Sequence, residues 1–89
     1  MNNERRKRIE AAREKIAEAE VALEAAREIV QEVKDDEEAA LENMPESFQD
    51  GERGQAMQEA IDALDDALSE MDLCDFTTIT DQFDTASTG

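Results

Sequence analysis

Residues 9–44, IEAAREKIAEAEVALEAAREIVQEVKDDEEAALENM, decide the fold. Counting in sevens from Ile9 gives Ile16, Leu23, Val30, Glu37 and Met44. Three residues beyond the first five of these lie Ala12, Ala19, Ala26, Val33 and Ala40. This is the a/d spacing of a coiled-coil seam, sustained over five heptads with one polar break at Glu37. It predicts one long helix over residues 4–44, which at 1.5 Å per residue is roughly 60 Å long. Four of its five d positions are alanine, so a second helix can approach closely. A lone rod cannot bury such a stripe, so the rest of the chain or a second copy must cover it.

Asn2 and Asn3 are good N-cap residues, with Glu4 in the first turn. Opposite charges at helical spacing suggest surface pairs of Glu4 with Arg8, Arg6 with Glu10, and Glu24 with Arg27, each contributing only a few tenths of a kcal/mol. Pro45 stops the helix, and because a residue before proline is pushed out of the α region, Met44 is its expected last residue. Residues 45–52 form the connection; Gly51 within it and Gly54 just after it permit unusual backbone angles, and Asp50 or Ser47 can cap the next helix.

The second helix is expected over residues 53–73. Met57, Ile61, Leu64, Leu68 and Met71 step by four, three, four and three, a second seam flanked by Ala56, Ala60, Ala63 and Ala67. The short connection folds it back along the first helix, where it reaches only residues of about 23–44. Ile9, Ile16 and Leu23 then extend beyond its cover, which marks them as an oligomer seam for a homodimer or larger assembly. Residues 74–89 are an acidic, threonine-rich tail. Phe76, Ile79 and Phe83 fall on one face of a short third helix docked on the first, with residues 86–89 frayed. The expected fold is therefore all-α: a long and a shorter helix in an antiparallel, coiled-coil-like hairpin (residues 1–73), a short C-terminal helix, and self-association.

Eighty-nine residues build one small domain with a modest core. With a single cysteine and no histidine, neither an internal disulfide nor a usual zinc site is available. Cys74 is read as a small, half-buried apolar residue. No apolar run is long enough to span a membrane, and the basic N-terminus lacks the apolar segment of a signal peptide. A soluble, cytoplasmic protein is expected. The net charge of −16 is uneven: residues 1–34 hold eight cations and eight glutamates, whereas residues 35–89 hold Arg53 alone against seventeen carboxylates. Such asymmetry points to an interaction surface or an acidic tail.

The stretch Glu42-Asn43-Met44-Pro45-Glu46-Ser47, with Gln49, Glu52-Arg53-Gly54, Met57, Ala60-Ile61, Leu64 and Ala67 after it, resembles a family of small, uncharacterised proteins of phage and prophage genomes. Members share an NMPES-x-Q-x-x-E-R-G loop between an acidic helix and an amphipathic one. The resemblance covers about residues 30–72. It implies a phage or mobile-element setting and no particular chemistry.

No catalytic constellation is legible. There is no histidine, no nucleophile–base set and no glycine-rich phosphate loop. Asp35-Asp36-Glu37-Glu38 is dense but lacks the alternating ligand spacing of a calcium loop. The chain is read as a non-enzyme without cofactor or metal. Glu37 is expected to lie at the edge of the seam while Leu41 takes the core place. Arg53 is a loop candidate for recognition, or else a tie to Glu42 or Glu46. The sharper signal is on the second helix. Glu59, Asp62, Asp66 and Glu70 form one stripe, flanked by Asp65 and Asp72, with none of the interleaved cations of the first helix. Six carboxylates over about 20 Å approach the phosphate spacing of one DNA strand. This acidic face is the candidate partner-binding surface. The favoured reading is a protein–protein interaction module that occupies a basic host protein, with no direct binding of DNA or membrane. Its rival is a nucleic-acid-mimicking inhibitor of a host defence or DNA- or RNA-binding enzyme. A third reading is an oligomeric nucleotide sponge, for which only Arg53 and the cluster Arg5, Arg6, Lys7 and Arg8 supply cations.

Overall fold

A computed structural model describes residues 1–88. It is all-α: α1 (Asn3–Glu42), α2 (Glu46–Gln49), α3 (Glu52–Asp72) and α4 (Phe76–Thr88), with no strand among the described residues. The chain forms two compact units. One comprises Met1–Glu24 with α4; the other is Ala25–Leu73.

Asn2 caps α1, its Oδ1 accepting from the Arg5 backbone N–H at 2.9 Å. At the other end α1 stops at Glu42 rather than Met44. The Met44 N–H bonds back to the Leu41 carbonyl at 3.2 Å, a three-residue turn where an α-helix would close on residue 40. Pro45 is the cause, since it excludes α geometry at the residue before it. The connection also contains an element that its composition did not announce. With φ −56° and ψ 143°, Pro45 opens the single turn of α2, its carbonyl accepting from Phe48 N–H at 2.8 Å and Gln49 N–H at 3.2 Å. Neither Asp50 nor Ser47 caps α3; Gly51 holds the N-cap position without any side-chain bond.

In the Ala25–Leu73 unit, Ile61 (6% exposed) and Leu68 (7%) are the buried apolar side chains, and Met57, Leu64, Ala67 and Met71 are half-buried beside them. The α3 seam thus lies where its spacing placed it. The facing stripe of α1 does not follow the heptad count. Ala26, Arg27, Val30, Lys34, Glu37, Glu38 and Leu41 are half-buried, whereas Val33 and Ala40, both d positions, are exposed. A helix of 3.6 residues per turn drifts about 20° per heptad from a 3.5 repeat. By residue 34 that is roughly 70° and by residue 41 roughly 90°, close to one whole position, so Lys34 and Leu41 occupy the places counted for Val33 and Ala40. Glu37 lies half-buried beside Leu41, as expected. Two ion pairs join α1 to α3, Arg27 with Asp72 and Lys34 with Asp65.

In the other unit, Ile9, Ala12, Arg13, Ile16 and Leu23 of α1 are half-buried, and so are Phe76, Ile79, Thr80, Phe83 and Ser87 of α4. Arg13 pairs with Asp84, and Arg6 Nε donates to the Ser87 carbonyl at 3.0 Å. The sequence pairs Glu4–Arg8, Arg6–Glu10 and Glu24–Arg27 do not form. Arg6 and Arg27 reach across to other helices instead, and Glu10 pairs with Arg13 at 3.5 Å. Threonine-rich α4 runs thirteen residues, longer than its propensities suggest. The hydroxyls of Thr80, Thr85 and Thr88 donate to carbonyls three or four residues back, so each is satisfied within the helix. Helix α4 continues through Thr88 where fraying was expected; Gly89 lies outside the described residues. Cys74 is exposed rather than half-buried, in the α3–α4 connection beside Leu73.

Candidate functional site

The acidic face of α3 divides into two parts. Glu59, Asp62, Asp65, Asp66, Glu70 and Asp72 are all exposed. Two of the six are already used within the fold. Asp65 Oδ1 accepts from the Lys34 ammonium at 3.0 Å, and Asp72 pairs with Arg27. That hydrogen bond holds the Lys34 pKa above its ordinary value, with the charges of Asp65 and Glu38 adding in the same direction against partial desolvation. The remaining four, Glu59, Asp62, Asp66 and Glu70, face solvent with no cation paired to them among the described residues. Asp62 alone accepts a hydrogen bond, from Gln58 Nε2 at 3.0 Å. The sequence pattern could not sort the six, because which aspartate meets a lysine depends on the register between α1 and α3.

The loop at residues 43–54 is a structural joint. Gln49 Nε2 donates to the Met44 carbonyl at 2.8 Å in a partly buried position, closing residues 44–49 into a clasp. Gly54 is the one buried glycine of the described residues and sits directly under that clasp. A Cβ at Gly54 would overlap the Gln49 carbonyl and lie 2.7 Å from Gln49 Cα. No described glycine has a positive φ, so Gly54 is required by close approach and not by backbone angle. Arg53 is exposed and ties to neither Glu42 nor Glu46. It lines an open cavity of about 320 Å³ together with Ala40, Asn43, Met44, Pro45 and Phe48.

A second cavity of the same unit, about 440 Å³, is lined by Glu38, Leu41, Glu42, Gln49, Gln58 and Ile61. Its two carboxylates repel an anion, and the amide nitrogens of Gln49 and Gln58 already donate to the Met44 carbonyl and to Asp62, which makes it a poor receptor for phosphate. No group of three or more Cys, Asp or Glu residues among those described is placed to hold a metal ion. No described helix is long and apolar enough to cross a membrane.

Ile9, Ile16 and Leu23 are half-buried, while Ile29 (61% exposed), Val33 (48%) and Phe48 (60%) are exposed in the Ala25–Leu73 unit. One further residue escaped the sequence reading. Asp75 caps α4, its Oδ1 accepting from Thr78 N–H at 3.0 Å and its Oδ2 from the Thr78 hydroxyl at 2.7 Å. These bonds stabilise the charged carboxylate and hold the Asp75 pKa below its ordinary value. An aspartate directly before the periodic Phe76, Ile79 and Phe83 was the available signal.

No family model matches this chain, and no curated protein or solved structure matches it either.

Proposed function

We propose that this protein is a non-enzymatic helical interaction module in which Ala25–Leu73 forms an antiparallel hairpin that presents the outer face of α3 to a basic partner protein. The ion pairs support the hairpin: Arg27 with Asp72 and Lys34 with Asp65 advance along α1 while retreating along α3. The observation that carries the functional reading is the sorting of charge on α3. The cations of the unit's α1 segment, Arg27 and Lys34, are held by Asp72 and Asp65, which leaves Glu59, Asp62, Asp66 and Glu70 open to an external ligand. Like charges at this spacing cost the helix a few tenths of a kcal/mol per pair, and a complementary surface relieves that cost on binding while steering encounter.

The phosphate-mimic reading drew on six carboxylates. Four now remain over twelve residues, roughly 16 Å of axis, or one per about 5.5 Å against about 3.4 Å along a DNA strand. This favours a lysine- and arginine-bearing protein surface over a cleft built for a phosphate backbone. The phage or mobile-element setting, and with it a host protein as the partner, is proposed on the loop resemblance alone.

The test compares wild type with a Glu59→Gln, Asp62→Asn, Asp66→Asn, Glu70→Gln variant. Proteins retained from a host lysate are identified, and the affinity of each for both forms is measured at two salt concentrations. The expected result is a partner whose binding weakens steeply with salt and collapses in the variant, while the variant's helicity is unchanged. Equal affinities with a flat salt response refute the reading.

A further inference from the structure

An open apolar surface of the Ala25–Leu73 unit lies on α1, away from the α3 stripe. Ala25, Ile29, Val33 and Ala40 recur at helical spacing on one face, and all four are exposed. Ile29 and Val33 project from its middle at 61% and 48% exposure, and small alanines stand at its two ends. At its C-terminal end the face runs into the open cavity of about 320 Å³ that shares Ala40 and is floored by Met44, Pro45 and Phe48. From Ala25 to Ala40 the face is about 22 Å long, four turns of helix. Glu28 and Glu32 border it and Asp36 interrupts it on the turn between Val33 and Ala40, all three exposed and none in an ion pair among the described residues.

We propose that this face is a docking groove for a basic amphipathic helix of a partner protein. Three properties specify the occupant. The length fits a helical segment of about fifteen residues, engaged through side chains at i, i+4, i+7 and i+11. The alanine ends admit a close backbone, and the cavity by Phe48 admits one bulky apolar anchor. The acidic border calls for lysine or arginine beside the apolar stripe. A second copy of this chain fits poorly. Residues 25–73 carry three cations against sixteen carboxylates, so two such faces would bring two units of net charge −13 together. The groove is a separate surface from the α3 stripe, and the two readings stand or fall independently.

The test uses a synthetic sixteen-residue helical peptide with leucines at i, i+4, i+7 and i+11 and lysines elsewhere. Its twin has identical composition but a scrambled order, which removes the apolar face and keeps the charge. Fluorescence anisotropy of labelled peptides gives both affinities. Wild type is expected to prefer the faced peptide by about tenfold or more, since burying an Ile29-sized side chain is worth at least one such factor. Ile29→Asn with Val33→Asn is expected to reduce that preference to within about twofold by the same reckoning. Both positions are exposed, so the fold should persist. The shifts of the Ile29 and Val33 methyl signals in wild type provide a readout that does not depend on the variant. The α3-neutralised variant is expected to retain the preference. Equal affinity for the two peptides overturns the proposal, as do methyl signals that stay still. Loss of the preference on neutralising α3 instead assigns the peptide to the stripe. Sedimentation showing a dimer that the Ile29→Asn, Val33→Asn pair dissolves assigns the face to a second copy, and either result refutes the proposal.

Discussion

Replacing Gly54 by alanine should destabilise this protein, although the same change at an ordinary position inside a helix is favourable. Alanine is better than glycine in a helix interior by about 1 kcal/mol, and Gly54 lies in the first turn of α3. Against this gain stands the backbone of Gln49. The new methyl group would overlap its carbonyl and lie 2.7 Å from its Cα, and a backbone cannot swing aside as a flexible side chain can. Helix α2 must therefore lift from α3. Overpacking of this kind costs about 1–3 kcal/mol. Loss of the partly buried Gln49–Met44 hydrogen bond, 2.8 Å long, adds about 1 kcal/mol. The net expectation is a loss of about 1–3 kcal/mol. For a domain of this size each kcal/mol is worth about 4–8 °C in melting temperature. Thermal and urea unfolding followed by circular dichroism measure it. Gly51→Ala is the control, because a Cβ there meets only the Phe48 carbonyl at 3.4 Å, an ordinary contact. A Gly54→Ala protein that melts at or above wild type would show that α2 does not press on α3. The structural account of the loop would then be wrong.

Leu68→Ala, at a buried position, should cost about 2–5 kcal/mol in urea unfolding and Leu64→Ala, half-buried, clearly less; equal losses would mean that the inner face of α3 is misplaced. Asp65→Asn, which abandons the Lys34 ammonium, should lower the melting temperature, whereas Asp66→Asn, one residue along and unpaired, should leave it unchanged or raise it by relieving repulsion. The Asp75 carboxylate, stabilised in the folded state, supports α4 fully above its ordinary pKa of 3.8. That support should fade as pH falls through the lower folded value, and amide exchange in α4 monitors it apart from the global relief of negative charge on acidification. Asp75→Ala should weaken α4 at neutral pH and remove the acid-dependent change; an α4 whose protection ignores both would exclude this capping role.

The helical class of the chain, the α3 seam and the N-cap at Asn2 were legible in the residues because each is a local property. Periodicity fixes which side of one helix is apolar, a proline bars α geometry next to itself, and an asparagine caps the turn that it begins. What failed was any inference that needed the phase between helices. The 3.5-residue count assigned Val33 and Ala40 to the seam, but a 3.6-residue helix turns them outward and brings in Lys34 and Leu41. The same rotation leaves Ile29 and Val33 open, and the register between α1 and α3 selects Asp65 and Asp72 for pairing while Glu59, Asp62, Asp66 and Glu70 stay free. Residues 9, 16 and 23 are half-buried in the unit that includes α4, a helix whose threonine hydroxyls satisfy themselves on their own backbone, a bond that propensity does not count. Composition alone established that the protein is acidic; tertiary structure decided which of its charges are already spent, because an ion pair across two helices is a statement about distance and not about sequence.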